Sequence, residues 1–135
     1  MNSFKDGAKV IMLCCIAVLF QACNTDTSTV SEKPQKVRLA KIVVDSAQLE
    51  DYKAFLQEEI EASVNKETGV LTLYAVFEKK NPTHLTILEI YATEEAYQSH
   101  IKTPHFLKYK NGTSNMVKEL ELINTDPVIP GLKIK

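Results

Sequence analysis

The sequence predicts one α+β domain of the ferredoxin-like class, in which a split β-α-β-β-α-β chain forms a sheet with both helices on one side. Along residues 37–123 the hydrophobic period switches repeatedly between two and about 3.6, which is the pattern of alternating strands and helices. The order of these segments matches the split βαβ arrangement. The 99 residues from Val37 to Lys135 are enough for one modest core and too few for two domains.

The first strand is predicted at residues 37–44, which are rich in β-branched side chains. Asp45 or Ser46 can cap the helix that follows, because their side-chain oxygens accept hydrogen bonds from its first free amides. This helix is expected to run to about Lys66, since Gly69 then interrupts the pattern. Its predicted apolar face contains Leu49, Tyr52, Phe55, Leu56, Ile60 and Val64.

Three further strands are predicted at residues 70–77, 85–91 and 117–123. The dipeptide Asn81-Pro82 separates the first two of them and indicates a turn, which fits a hairpin. With helices on one side only, the other sheet face would leave apolar strand residues such as Val76 uncovered. A second copy of the chain would cover that face, so a homodimer is expected.

The second helical region is predicted to be broken in the middle. Thr93 can cap its first part, and Thr103-Pro104 starts it again with a cap and a proline at the first helical position. The break therefore falls at Lys102. Asn111-Gly112 then supplies a residue pair suited to a helix end.

The amino terminus has the pattern of an export signal. Lys5 and Lys9 precede an apolar run at residues 10–20, which is shorter than the roughly 20 residues that a membrane-spanning helix needs. The run ends in Phe20-Gln21-Ala22-Cys23, which resembles a bacterial lipobox. We expect a signal peptide at residues 1–22 and a lipid on Cys23, which anchors the chain in the bacterial cell envelope facing the periplasm. Cleavage of an ordinary signal peptide nearby is the alternative.

Removal of the signal peptide limits the chemistry that is left. Cys14 and Cys15 are lost and Cys23 remains, so no disulfide framework or catalytic thiol is expected. The mature chain has 14 basic and 16 acidic side chains, and nucleic acid is therefore not an expected partner. Residues 23–36 are polar without an apolar period and are interpreted as a tether, followed by a folded domain at residues 37–135.

The candidate site lies between the third strand and the broken helix. Glu89 and Tyr91 end the strand, and His100, His105 and Tyr109 follow within about twenty residues. This segment contains most of the groups that can exchange protons near neutral pH.

The segment Glu89-Ile90-Tyr91, the helix ending in His100 and the run Thr103-Pro104-His105 with Tyr109 resemble the antibiotic biosynthesis monooxygenase (ABM) family, in the branch of small quinol monooxygenases. The resemblance extends over about residues 37–123. It implies a dimeric α+β barrel that oxidises a phenolic or quinol substrate with O2 and without metal or flavin. Tyr91 stands where tryptophan is usual, and the first strand lacks asparagine, which argues against the haem oxygenation of some relatives.

A deprotonated hydroquinone is a strong electron donor to O2, so an enzyme without a cofactor needs chiefly a base. We hypothesise that His105 or His100 accepts the substrate proton. Glu89 is expected to orient an imidazole, and Tyr91 or Tyr109 to bind the developing oxyanion. The expected apolar walls of the substrate site are Phe106, Tyr97 and Leu88.

Other interpretations of the same residues stay open. Each candidate histidine or tyrosine could instead pack or form a hydrogen bond inside the core, and Glu89 could have a purely structural partner. Glu89, His100 and His105 have the composition of a metal site, but their spacing crosses the break before Pro104, and no metal or other cofactor is expected. The alternative function is a non-catalytic, membrane-tethered dimer that binds a small apolar ligand.

Overall fold

The computed structural model describes residues 33–131 and has the predicted α+β fold. The four strands and the broken second helix are confirmed, and the strand ends differ from the predicted ones by no more than two residues. The elements are β1 (Lys36–Val44), α1 (Leu49–Lys66), β2 (Val70–Phe77), β3 (His84–Tyr91), α2 (Glu94–His100), α3 (Pro104–Gly112) and β4 (Val117–Thr125).

The strands form one antiparallel sheet in the order β2-β3-β1-β4. The first strand therefore lies between the third and the fourth, which is the split βαβ topology of the ferredoxin-like fold. In the register of the two central strands, Arg38 lies opposite Glu89 and Ala40 opposite Ile87. Opposite residues in an antiparallel pair point to the same face of the sheet, so this register places a cation beside the carboxylate of β3.

The buried face of α1 differs from the predicted one. Tyr52 and Leu56 are buried as expected, but the face continues through Glu59 and Ser63. Val64 was predicted to be in the core, and that prediction was wrong, because 49% of it is exposed. The polar residues can replace it inside because the Ser63 hydroxyl donates to Glu59 Oε1 over 2.8 Å.

The core lies between α1 and one face of the sheet. On the other face, Tyr74 and Val76 of β2 lie opposite Leu88 and Thr86 of β3, and 67% of Tyr74 and 46% of Val76 are exposed. The residues of the core cluster are Ala40, Ile42, Val44, Tyr52, Leu56, Leu85, Ile87 and Met116.

In the part of the chain that the structure describes, no helix has the length and apolar character needed to cross a membrane. The signal peptide predicted at residues 1–22 and the lipid predicted on Cys23 lie outside the described residues. The tether predicted at residues 23–36 lies largely outside them as well.

Candidate active site

A cavity of about 490 Å³ lies between the three helices and the sheet face that they cover. This volume is within the range of about 300–1,000 Å³ that is common for small-molecule sites. Its polar and aromatic wall includes Arg38, Glu59, Glu89, Tyr91, Tyr97, His100 and Tyr109, and its apolar wall includes Ala40, Ile42, Leu56, Ile87, Phe106, Leu120 and Leu122.

A buried ion pair forms part of the cavity wall. Arg38 donates to Glu89 Oε2 from Nε over 2.9 Å and from Nη2 over 2.6 Å. The Tyr91 hydroxyl donates to the same carboxylate oxygen over 3.1 Å. Burial acts to lower the pKa of Arg38, but the adjacent Glu89 charge raises it above its usual value. Burial and the Glu89 charge both raise the pKa of Tyr91, so that its proton stays on the phenol.

Arg38 also reaches a second phenol of the cavity. Its Nη1 donates to the Tyr97 hydroxyl oxygen over 2.9 Å, and the guanidinium lies 4.6 Å from the centre of the Tyr97 ring. Because that oxygen accepts a hydrogen bond from Arg38, the proton of Tyr97 remains free for another acceptor.

Glu89 was expected to orient an imidazole, and the structure instead gives that position to Glu67. His100 Nδ1 lies 3.0 Å and His105 Nε2 lies 2.6 Å from Glu67 Oε1. Partial burial acts to raise the pKa of Glu67, but the hydrogen bonds from His105 and His100 lower it below its usual value. Glu67 is therefore held as a carboxylate between two rings.

The break between α2 and α3 brings these two histidines together. The Thr103 hydroxyl donates to the His100 carbonyl oxygen over 2.8 Å, and the same hydroxyl oxygen accepts from the Phe106 amide over 3.3 Å. Pro104 then occupies the start of α3. His100 ends one helix and His105 lies in the first turn of the next, so both rings can face the end of α1.

His100 is the histidine that lines the cavity, and only 2% of it is exposed. When its Nδ1–H donates to Glu67, its lone pair is on Nε2. That nitrogen lies 3.6 Å from Glu59 Oε1. Burial raises the pKa of Glu59, and this effect is partly offset by the hydrogen bond from Ser63. The cavity wall thus contains an imidazole nitrogen and a carboxyl group next to each other.

His105 does not line the cavity. Its ring centre lies 6.4 Å from that of His100, on the far side of Glu67, and 15% of its side chain is exposed. The sequence could not decide whether His100 or His105 is the base. In the structure, only His100 lines the cavity.

The predicted aromatic residues line the cavity. Tyr109 shares a hydrogen bond of 2.6 Å with the hydroxyl of Tyr52, and burial raises the pKa of both phenols, that of Tyr52 to about 12. Phe106 packs against the His100 ring with a centroid distance of 4.9 Å. Tyr91 lies 5.3 Å from Tyr97 by the same measure.

Leu88 is placed differently from the prediction. It is half-buried on the sheet face that the helices leave uncovered, between the inward-facing Ile87 and Glu89 of β3, and it does not line the cavity. The alternation of side chains along a strand puts neighbours on opposite faces, so Leu88 and Glu89 cannot both face one cavity.

Three charged residues at or beside the candidate site were not predicted from the sequence. Arg38 interrupts an apolar strand, and Glu59 lies on the buried side of α1 four residues before Ser63. Both exceptions to the hydrophobic pattern could have drawn attention to these residues. Glu67 follows the last residue of α1, in a position where a carboxylate is unremarkable, and no sequence signal identifies it.

The structure also assembles a set of metal-ligand atoms. One donor atom each from Glu67, His100 and His105 lies within 4.8 Å of the other two. The sequence analysis had considered Glu89 together with the two histidines, but Glu89 is paired with Arg38. The carboxylate that meets the imidazoles comes from the end of α1 instead.

Comparison with known proteins relates both the sequence and the fold to other chains. Residues 37–112 match the family model described as antibiotic biosynthesis monooxygenase. A crystal structure from Bacteriodes thetaiotaomicron VPI-5482, assigned as an antibiotic biosynthesis monooxygenase, is 61% identical with a TM-score of 0.74 and covers 76% of this chain and 97% of that one. No curated protein matches the chain.

Two other solved structures are less similar. A protein from Lactobacillus acidophilus NCFM, assigned as a monooxygenase, is 30% identical with a TM-score of 0.67. The match covers 68% of this chain and 44% of that one, so this chain spans less than half of that protein. A chain from Nitrosomonas europaea shares the fold at 18% identity, with a TM-score of 0.66 and coverage of 71% and 92%.

Proposed function

Because the chain belongs to the antibiotic biosynthesis monooxygenase family and has the monooxygenase-like function of that family, we propose that it oxidises a quinol or phenolic small molecule with O2 and without a cofactor. The observation that carries the proposal is a largely apolar cavity with the Nε2 atom of His100 in its wall and Glu67 behind the same ring. Such a cavity can hold an aromatic ring next to a base.

In the proposed reaction, His100 Nε2 accepts the proton of a substrate hydroxyl. The Nδ1–H bond to Glu67 stabilises the imidazolium that forms, as a carboxylate does in other base-assisted sites. The phenolate then passes an electron to O2, and recombination forms a carbon–oxygen bond. For a hydroquinone with a free ring position, quinol and O2 give the hydroxyquinone and one water, which balances atoms and electrons.

The developing oxyanion needs a hydrogen-bond donor, and the three cavity phenols differ in their ability to supply one. The Tyr91 proton is used on Glu89, and the Tyr109 hydroxyl shares its hydrogen bond with Tyr52. Tyr97 accepts from Arg38 and keeps its own proton available. We therefore assign the donor role to Tyr97, which the sequence analysis had given to Tyr91 or Tyr109.

The test is oxygen uptake by chelator-treated protein with reduced menadione and related hydroquinones, measured against their autoxidation without protein. His100→Asn is expected to lower kcat by about 10²- to 10⁴-fold, because it removes the base. His84→Asn is the matched control, since this third histidine is exposed at the start of β3.

Two results would contradict the proposal. Absence of saturable uptake across the panel would favour the alternative, a non-catalytic protein that binds a small apolar ligand, and a ligand-dependent thermal shift would then identify it. Uptake by the His100→Asn variant at the unchanged rate would remove His100 from the mechanism.

We also propose that a lipid on Cys23 anchors the protein in a bacterial envelope membrane. The support is the sequence: a charged and then apolar segment that ends in Ala22-Cys23. Full-length protein expressed in a bacterial host is expected to enter the detergent phase on phase separation, and a Cys23→Ala variant is expected to stay in the aqueous phase. Equal partition of the two proteins would contradict lipidation.

The same family membership supports a homodimer that buries the uncovered sheet face. Tyr74 and Val76 supply exposed apolar area on that face, and Leu88 and Ile90 adjoin them on β3. A second copy offers a matching surface by two-fold symmetry.

A further inference from the structure

We propose that Glu67, His100 and His105 form a binding site for a divalent transition metal of the Zn²⁺ class. Two imidazoles and one carboxylate are a donor set for which Zn²⁺ and its neighbours in the transition series have high affinity. The three donors come from three elements that the fold holds together: the end of α1, the end of α2 and the first turn of α3.

The geometry of the three donors suits a small cation. His100 Nδ1 and His105 Nε2 both point at Glu67 Oε1, at 3.0 and 2.6 Å. In a tetrahedral site with bonds of about 2.0–2.1 Å, neighbouring ligand atoms are about 3.3–3.4 Å apart. The two separations must therefore lengthen by less than about 1 Å, which a rotation of the Glu67 carboxylate can supply. The cation then lies near the present position of Oε1, where both ring nitrogens are aimed.

The second nitrogen of His100 supplies an independent observation. A histidine bound to a metal usually donates its other ring N–H to a carboxylate or carbonyl, which fixes its tautomer and orientation. His100 Nε2 lies 3.6 Å from Glu59 Oε1, and Glu59 is itself held by the Ser63 hydroxyl. The Glu59 carboxylate therefore lies beside the ring nitrogen that the proposed cation leaves free, at a distance slightly longer than a hydrogen bond.

The charge balance of the site also favours a cation. Glu59 and Glu67 are two carboxyl groups in the protein interior or close to it, with side-chain exposures of 5% and 14%. In residues 33–131, the ion pairs of these two groups are all with His100 or His105, and none is with lysine or arginine. A divalent cation bound to Glu67 adds the positive charge that lysine and arginine do not supply to these two groups.

The metal site goes beyond the proposed function, because it gives His100 a metal-bound state besides the free state that acts as a base. A metal on Nδ1 places the ring proton on Nε2, so the metal-loaded protein lacks the free nitrogen that the proposed oxidation uses. Zn²⁺ is therefore expected to suppress quinol turnover, and a chelator to restore it. Metal binding itself can be measured without any substrate, so its outcome does not depend on the oxidation.

The test is titration of the full-length protein with Co²⁺, followed by its visible absorption, and then displacement of Co²⁺ by Zn²⁺. Any free cysteine that the purified protein retains, among positions 14, 15 and 23, is alkylated first, because thiolates also bind these ions. We expect saturable binding of one ion per chain, with the intense bands of a tetrahedral Co²⁺ site.

Matched variants locate the ion. His105→Ala and Glu67→Gln are each expected to weaken Co²⁺ binding by at least about tenfold, and Glu59→Gln by about tenfold through the orientation of His100. His84→Ala and Glu58→Gln are the controls, because both residues are exposed and outside the cluster, and they are expected to change nothing. Circular dichroism shows whether each variant is folded.

Either of two results would overturn the proposal. The first is absence of saturable binding of one ion per chain to the folded protein. The second is equal affinity in the folded Glu67→Gln or His105→Ala variant and in the matched controls. Absence of quinol turnover by the metal-free protein would contradict the proposed oxidation. It would not affect the measured Co²⁺ binding.

Discussion

The buried charges of this domain are arranged in two adjoining groups. Arg38 and Glu89 neutralise each other on the central strands, and Glu67 connects the two histidines at the end of α1. A charge buried without a partner would be costly, so each group depends on all of its members. The effect of a single substitution on the free energy of unfolding therefore measures how much one member contributes to its group.

Arg38→Met is expected to destabilise the fold by about 3–5 kcal/mol, because it leaves the Glu89 carboxylate buried without a cation. The double variant Arg38→Met, Glu89→Leu is expected to recover most of the loss, since it removes both charges. Urea unfolding of the native protein, the two single variants Arg38→Met and Glu89→Leu, and the double variant measures the coupling free energy between Arg38 and Glu89. A loss below about 1 kcal/mol in Arg38→Met would show that water reaches Glu89 freely.

The tyrosine pair predicts a loss of stability in alkaline solution. The pKa of Tyr52 rises from the usual 10.0 to about 12 in the folded state, and that of Tyr109 is raised as well. The unfolded chain therefore loses these protons first. The stabilisation is fully present below pH 10 and is lost as the pH rises toward 12.

Relative to the variant Tyr52→Phe, Tyr109→Phe, the native protein is expected to lose about 1 kcal/mol by pH 11 from Tyr52 alone. Unfolding at several pH values between about 8 and 11 measures the difference, in which the lysines common to both proteins cancel. Parallel pH profiles of the two proteins would contradict the prediction.

The secondary structure could be predicted from the sequence because its signals are local. Capping side chains, the break at Thr103-Pro104 and the change of hydrophobic period all act within a few residues. The Arg38–Glu89 pair and the Glu67–histidine cluster depend on strand register and on helix ends that meet from distant parts of the chain. No local pattern encodes those contacts, so Glu67 could be identified only in the structure.

The position of α2 against the start of β2 depends on the absence of a side chain at Gly69. A Cβ atom at this position would lie 2.6 Å from the Cβ atom of Ala96, and the Gly69 carbonyl oxygen already accepts from the Ala92 amide over 2.8 Å. This close approach joins the start of β2 to the first turn of α2. It thereby helps to fix the helix that ends in His100.

Gly69→Ala is expected to destabilise the fold by about 1–3 kcal/mol, because α2 must shift to relieve the overlap. The double variant Gly69→Ala, Ala96→Gly removes the contact, and it is expected to recover the loss apart from about 1 kcal/mol for glycine in a helix. Thermal unfolding of both variants and of Ala96→Gly measures the loss and the recovery of stability. Additive losses would exclude direct contact as the cause.

For the whole molecule, the helices cover one side of the sheet and leave apolar residues exposed on the other. We expect the protein to be a dimer by light scattering at micromolar concentration. Tyr74→Asp is expected to convert it to a monomer, because a charge opposite Leu88 would be buried without a partner. Leu107→Asp on α3 is the control, since Leu107 is also an exposed apolar residue. A native monomer, or a Tyr74→Asp dimer, would contradict the proposed interface.

The Glu67 carboxylate has a consequence for how a substrate reaches the cavity. It holds His100 and His105 on either side of the break between α2 and α3, so the two helices cannot part there without losing at least one of these hydrogen bonds. The part of the cavity wall that β4 forms is more exposed. Leu120 and Leu122 of the edge strand β4 line the cavity although 58% and 50% of them are exposed. The accessible side of the cavity is therefore an apolar sheet edge, and we expect a small apolar molecule to enter there.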